Sequence, residues 1–281
     1  MNSVPAPITE LRITGLHVYP VKSCGGIALP EVLLTDRGFE WDREWMVVDL
    51  DGNFLTQRQH PKLALISVEV TGDTLCLNAG GRNSLRIPLV PTGARAVSRV
   101  TIWKHTCPAD DEGDRAAEWL GEVLGATVRL VRFQPAHRRL SNLQWTGGIE
   151  ARNRFTDGYP VLVLSEESLA DLNRRLPGPA LPMNRFRPNL VVAGGDAYVE
   201  DRIRALRSQS VELRLVKPCE RCTITGTDQT TAEVSSEPLK TLASYRRDER
   251  LGGVLFAQNA IVTRGEGERL RVGDSLRIEW A

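Results

Sequence analysis

The sequence predicts a β-rich α+β protein made of two barrel-like parts, and three observations carry that prediction. Short alternating or apolar runs, closed off by Gly, Pro or Asn, recur through both halves of the chain. Helical spacing of apolar residues is confined to a few short windows. The regular strand–helix alternation of a doubly wound parallel sheet is missing. The length of 281 residues suits one large or two ordinary domains, and 41% hydrophobic against 25% charged residues is enough to build a core. We divide the chain into residues 8–134 and 135–281.

Leu11–Tyr19 alternates apolar and polar residues and reads as a strand that Pro20 stops. Trp45–Leu50 and Phe54–Arg58 flank Asp51-Gly52-Asn53, a hairpin signature. Leu63–Val70 and Thr74–Leu77 continue the pattern across Gly72-Asp73. Arg115–Leu124 is helical, with Ala116, Trp119, Leu120 and Val123 on one face and Gly125 at its end. The acidic run before it, Asp110-Asp111-Glu112 with Asp114, has a metal-site reading and a plainer one as negative charge at a helix N-terminus; the plainer is preferred. Gln134–Arg154 is Arg-rich, holds Gly147-Gly148 and lacks a period, so it reads as a long loop. After the apolar run Val161–Leu164, Ser165 caps a helix running through Leu169, Leu172 and Leu176. Strands are expected at Leu190–Ala193, Val211–Val216 and Thr223–Thr227, then a short helix at Leu239–Arg246. The end returns to strand at Gly253–Val262 and Leu270–Ile278.

Lys and Arg total 36 against 35 Asp and Glu, a net charge of +1, which excludes a chain coated in positive charge for duplex DNA; no nucleic-acid partner is expected. Five of the basic residues are lysine and 31 are arginine. Genome composition explains most of that bias, and any arginines that do bind suit bidentate anions. Met1–Leu11 has no signal-peptide pattern, and nothing approaches the ~18 consecutive apolar residues of a membrane span, so a cytoplasmic protein is expected. Five cysteines, an odd number, do not form a disulfide framework. Cys24, Cys76 and Cys107 are scattered, whereas Cys219 and Cys222 form a Cys-x-x-Cys pair.

That pair lies in Lys217-Pro218-Cys219-Glu220-Arg221-Cys222. The second half of a zinc knuckle is missing, and none of His17, His60, His105 and His137 lies close in sequence. A thioredoxin-like pair would open a helix, but Thr223–Thr227 reads as a strand. Two readings stay open: inert buried thiols, or one thiolate holding a soft metal beside Arg221. Asn184-Arg185-Phe186-Arg187-Pro188-Asn189 flanks an aromatic residue with two arginines just before a strand. Pro188 stiffens the backbone from which Arg187 and Asn189 project, a fork suited to phosphate or carboxylate. Tyr19-Pro20-Val21-Lys22-Ser23-Cys24-Gly25-Gly26 offers a lysine, a hydroxyl and a glycine loop whose N–H groups can approach an anion, without P-loop spacing. Asp42-Arg43 and Thr56-Gln57-Arg58-Gln59 read equally well as ion-paired surface charge or as parts of a site.

Taken together, these motifs resemble a known family. Tyr19-Pro20-Val21-Lys22-Ser23, Asp42-Arg43 and Thr56-Gln57-Arg58-Gln59 are similar to the N-terminal β-barrel domain that accompanies MOSC domains. Asp157-Gly158-Tyr159-Pro160, Leu164-Ser165-Glu166, Arg185-Phe186-Arg187-Pro188-Asn189, Cys219-Glu220-Arg221-Cys222 and Val272-Gly273-Asp274 resemble the MOSC domain itself. The resemblance runs from about Leu11 to Leu276 and points to the mitochondrial amidoxime-reducing components and their bacterial homologues.

The resemblance implies a MOSC-type β-barrel with a few helices beside a second barrel-like domain, and a molybdenum cofactor (Mo-molybdopterin) with a phosphate tail. It implies Cys222 as the metal ligand and catalytic residue, with Cys219 only a neighbour. Lys22, Ser23 and Arg43 would contact the cofactor from the N-terminal part. Asp157, Gly158, Tyr159, Arg187, Asn189, Glu220, Arg221 and Asn259 would contact it from the rest. The implied activity is reduction of N-hydroxylated compounds, hydroxylamines and amidoximes, with electrons from a separate donor protein of ferredoxin, flavin reductase or cytochrome type. The alternatives are a cofactor carrier or sulfur-transfer module, with a persulfide on Cys222, and a nonenzymatic barrel with a structural cysteine pair. Only about ten residues precede the first motif, so no membrane anchor is expected. No cysteine cluster of an appended ferredoxin-like domain follows the last. Two departures stand out: Asp228-Gln229-Thr230-Thr231-Ala232 replaces the family's Asp-Pro-Asp-Thr-Gly turn, and Glu220 replaces a small polar residue. Asp228 is a general-acid candidate only by its place after the cysteine segment, and a turn role is the plainer reading.

Overall fold

The computed structural model describes residues 8–91 and 93–281. Seven strands close into a barrel in the order Val161–Ser165, Leu190–Ala193, Glu10–Val18, Ser275–Trp280, Ile203–Arg207, Glu212–Glu220 and Gly253–Arg264, the last pairing back onto the first. Neighbours are antiparallel except Val161–Ser165 beside Leu190–Ala193. A parallel pair needs a crossover, and helix Glu166–Arg175 supplies it, its first turn capped where Ser165 Oγ accepts from the Ser168 N–H at 3.1 Å. Alternate residues point inward, so Leu11, Ile13, Val163, Leu190, Leu213, Ala260 and Leu276 fill the barrel. The chain's first strand is thus a barrel stave, with Leu11 opposite Leu276 and Ile13 opposite Val192.

Beside the barrel stands a half-barrel of Trp45–Val48, Arg129–Phe133, His105–Asp111 and Val97–Ile102, with a three-stranded meander of Ser67–Thr71, Thr74–Asn78 and Leu85–Pro88. Helix Asp114–Leu124 packs Ala116, Leu120 and Leu124 into the core between them and ends at Gly125, whose φ of 67° suits a residue without Cβ. The β-rich α+β expectation therefore holds. No helix among the described residues is long and apolar enough to cross a membrane.

Several local expectations fail for identifiable reasons. Thr223–Gly226 is a 3₁₀ turn and not a strand; Gly226 is packed so tightly that a Cβ would stand 2.2 Å from the Ser235 carbonyl oxygen. Its β-branched composition yields to that packing. Gln134–Arg154 is no plain loop: Arg139–Leu140 pairs with Arg152–Asn153, and between them helix Leu143–Thr146 is capped by Asn142 and ended by Gly147. The second hairpin arm shrinks to one bridge between Val48 and Phe54, which frees Thr56–Gln59 from the sheet. Pro61 starts a 3₁₀ turn, so the next strand begins only at Ser67. Asp110 and Asp111 end a strand and only Asp114 lies in the helix's first turn. Asp111 pairs with Arg129, and Glu112 with Arg95 and Arg132. The acidic run serves ion pairs between strands, and no group of three or more metal-ligating side chains occurs among the described residues.

Candidate cofactor cleft

Seven segments meet where the barrel faces the half-barrel: the loop after the first strand, the Asp42-Arg43 turn, Thr56–Gln59 after the hairpin, 156–162, 186–189, the cysteine segment and strand Gly253–Arg264. Together they wall an open cleft of about 130 Å³. Lys22, Ser23, Arg43, Asp157, Gly158, Tyr159, Arg187, Asn189, Glu220, Arg221, Cys222 and Asn259 all line it, although they are spread over more than 230 positions of sequence. Thr56, Arg58, Thr156, Leu162, Phe186, Cys219 and Ile224 complete the lining. Of these, Thr56, Arg58, Phe186 and Cys219 stand in recognisable sequence motifs that give them no cofactor contact, and Thr156, Leu162 and Ile224 carry no sequence signal of a site.

One wall is buried and centred on Tyr19. Pro20 ends the strand, Lys22 N–H bonds the Trp45 carbonyl at 2.8 Å, and Gly26 leaves room for the Tyr19 ring, which a Cβ there would meet at 2.4 Å. The guanidiniums of Arg43 and Arg187 each lie 4.2 Å from the Tyr19 ring centroid, a favourable cation–π distance. Arg43 donates to both oxygens of buried Asp42 at 2.7 Å, to Asn189 Oδ1 at 3.1 Å and to the Arg187 carbonyl at 3.2 Å. Arg187 donates to the Cys24 carbonyl at 2.7 Å. Burial and the nearby Arg43 charge push the Arg187 guanidinium down to about 10, so it remains charged at neutral pH. Burial pushes the Tyr19 phenol and the Cys24 thiol each up to about 12, so both stay protonated. Asn189 spends its amide on protein: it accepts from Arg43 and the Leu162 N–H and donates to the His17 carbonyl at 3.1 Å. It positions Arg43.

The other wall is open. Cys222 is exposed and Cys219 partly so. Strand Glu212–Glu220 carries Cys219 to the rim, and Cys222 caps the 3₁₀ turn that follows. Arg221 donates to Cys219 Sγ at 3.2 Å and to the Phe186 carbonyl at 2.8 Å. Lys22 Nζ crosses the cleft floor to the Phe155 carbonyl at 2.9 Å and Asp157 Oδ1 at 2.6 Å. Tyr159 is pushed up to about 12 by burial and the Glu220 charge, so its hydroxyl is neutral throughout the physiological range. Asn259 is only loosely held, 3.5 Å from the Pro218 carbonyl. Asp228 points elsewhere: it accepts from the Thr230 and Thr231 N–H groups and pairs with Arg185 at 2.8 Å, and those backbone hydrogen bonds, helped by the Arg185 charge, hold its carboxyl below the usual range. Its role is the turn.

Five cationic side chains face two carboxylates, Asp157 and Glu220, around an exposed thiol. That donor set suits a polyanion carrying a soft metal. Backbone strain concentrates here too. Of eight non-glycine residues with positive φ among the described residues, Ser23 (69°), Arg43 (48°) and Arg187 (57°) line the cleft and Trp103 (54°) borders it. Such conformations cost of order 1 kcal/mol or more each and gather at functional sites.

Residues 10–127 match the MOSC N-terminal beta barrel domain and residues 150–277 the MOSC domain, and the chain belongs to this family of MOSC-domain proteins. It is 38% identical over 243 residues to mitochondrial amidoxime-reducing component 1 of Homo sapiens, covering 84% of this chain and 72% of that one. It is 34% identical to mitochondrial amidoxime reducing component 2 of Bos taurus, over 83% and 72% of the two chains. Molybdenum cofactor sulfurase of Oryza sativa subsp. japonica matches at 32% identity over 91% of this chain and 33% of its own length. The function is accordingly related to the molybdenum cofactor.

Proposed function

We propose that the protein is a molybdenum-cofactor-dependent reductase of N-hydroxylated compounds, hydroxylamines and amidoximes, fed by a separate electron-donor protein. The observation that carries the reading is the exposed Cys222 thiol opening into a cation-rich cleft, in a chain 38% identical to an amidoxime-reducing component. When bound, the cofactor supplies two-electron removal of oxygen from the N–O bond; with two protons, a hydroxylamine gives an amine and water. In this reading Cys222 supplies the soft thiolate ligand. Lys22, Ser23, Arg43 and Arg187 hold the anionic pterin tail, with Asn189 fixing Arg43. Glu220, Arg221 and Asn259 would border the metal end, and Asp157, Gly158 and Tyr159 would line the same site. Residues 8–134 and 135–281 are proposed to share this one cofactor, and the work to be cytoplasmic.

The name of the rice relative supports a second reading, a cofactor carrier or sulfur-transfer module. One experiment separates the two. The protein is purified from cofactor-replete cells beside Cys222→Ser and Cys219→Ser, its molybdenum and pterin are measured, and the chemically reduced protein is given an aromatic amidoxime. Expected are stoichiometric molybdenum in wild type and Cys219→Ser, loss in Cys222→Ser, and release of the amidine. Bound cofactor without amidine favours the carrier. Absence of molybdenum from the wild type would sink the reductase reading and the cofactor carrier, leaving only sulfur transfer on Cys222.

A further inference from the structure

Among the cations lining the cleft, Lys22, Arg43, Arg187 and Arg221 are hydrogen-bonded to protein acceptors. Arg58 is different. Among the described residues its guanidinium has no acid or carbonyl partner, and its one partner is the face of Trp103, 4.7 Å from the guanidinium carbon. Its backbone is nevertheless fixed. Thr56 Oγ1 accepts the Arg58 N–H at 3.2 Å, and the neighbouring Gln57 is fully buried, bonded to the Ser23 carbonyl at 2.7 Å and in a reciprocal amide pair with Gln229.

Trp103 is the second unusual feature. It occupies the first central position of the two-residue turn between Ile102 and His105, with a φ of 54°, where glycine or asparagine is favoured. It is 45% exposed, so core packing does not account for a large ring there. The indole is nonetheless held on three sides. Its N–H donates to Asp157 Oδ1 at 3.0 Å, Phe54 packs at 5.1 Å, and Arg58 lies on its face. A strained turn that carries an exposed aromatic residue to the rim of a cleft and clamps a lining arginine is a device for presenting that arginine.

We propose that Arg58, presented by Trp103, is a specificity residue that selects N-hydroxylated substrates bearing a carboxylate. A free, planar guanidinium offers the paired donors that a carboxylate matches, and stacking lowers the entropy lost on binding. The inference rests on the reductase reading for the identity of the reacting group. The same guanidinium chemistry would serve the cofactor's phosphate, so the test separates the two sources.

Cofactor-loaded wild type, Arg58→Gln and Trp103→Asn are compared on benzamidoxime and on its para-carboxylate. Molybdenum and pterin contents are measured alongside, as is calorimetric binding of benzoate to the oxidised protein. Arg58→Gln is expected to lower the kcat/KM ratio of acid to neutral substrate about tenfold and to weaken benzoate by a similar factor, with cofactor content unchanged. Asparagine suits a positive φ, so Trp103→Asn keeps the turn; it is expected to lower the ratio about threefold without lowering Tm. An unchanged ratio in Arg58→Gln overturns the proposal, and loss of pterin from that variant assigns Arg58 to the cofactor instead. If wild type reduces neither compound, the reductase reading fails on its own. Benzoate binding then decides this one: weaker in Arg58→Gln supports an anion site, and equal in both variants and wild type refutes it.

Discussion

The two walls of the cleft are built on opposite terms. Around Tyr19 the charged groups are buried and committed: Arg43 to Asp42 and Asn189, Arg187 to the Cys24 carbonyl, with both backbones held in the left-handed region. Across from it the groups are more open and less committed: the exposed Cys222 thiol, the half-buried Arg58 guanidinium with only the Trp103 face beside it, and the Asp157 carboxylate, held by Lys22 and the Trp103 indole but with 70% of its side chain open. A committed wall presents fixed charge without reorganising, which suits a resident ligand. An uncommitted wall keeps donors free for a molecule that comes and goes. The contrast divides the residues into those that should fail by unfolding and those that should fail by losing chemistry.

Asp42→Ala tests that division most severely. It removes the counter-ion of a largely buried guanidinium and also the acceptor of the Tyr19 N–H at 2.9 Å. Stability should fall by about 3 kcal/mol in urea unfolding, because a buried charge is left unpaired. Cys222→Ser, on an exposed side chain, should change it by no more than about 0.5 kcal/mol. If Asp42→Ala costs no more than Cys222→Ser, the buried wall is not the scaffold it is drawn to be.

The same contrast explains what was legible in the sequence. Motif resemblance found residues on both walls, because Lys22, Arg43, Arg187 and Cys222 lie in short recognisable strings. Periodicity found Leu11–Tyr19 and the helix ending at Gly125, where alternation and spacing are local properties. Neither could show that the first strand closes a barrel with strands from residue 161 onward, since pairing partners are not written locally. Nor could they show the Thr223–Gly226 turn, imposed by contact with Ser235. Trp103 was invisible for a related reason. Ile-Trp-Lys-His contains none of the residues that announce a turn, and the strain that marks the position exists only in the fold.

Asp157 probes the open wall by pH. Desolvation in the cleft pushes its carboxyl up, but the Lys22 charge and hydrogen bond, with the Trp103 indole, pull it further down, so the net shift is downward. A carboxyl lowered in the folded state contributes stability above its unfolded pKa of about 3.9, and that contribution is lost as pH falls through and below that value. Asp157→Asn should therefore cost about 1 kcal/mol at pH 7, a modest value because the carboxylate is mostly exposed. The gap between variant and wild type should close on acidification below about pH 4. A gap that stays constant down to pH 3 would show that the Lys22–Asp157 pair is not its source.

The smallest effect separates the two things Tyr19 contributes. Its hydroxyl donates to the Pro188 carbonyl at 3.2 Å, a long bond, while its ring underlies both Arg43 and Arg187 at 4.2 Å. Tyr19→Phe removes only the hydroxyl and should cost about 0.5 kcal/mol, the low end for a neutral hydrogen bond. With the phenol pushed up to about 12, that cost should not vary with pH across the working range. Tyr19→Leu removes the face from under two cations and should cost about 2 kcal/mol more, since each partly desolvated cation–π contact is worth about 1 kcal/mol. If Phe and Leu proved equally harmful, the hydroxyl, not the ring, would organise the buried wall. The two arginines would then owe their placement to Asp42, Asn189 and the Cys24 carbonyl alone.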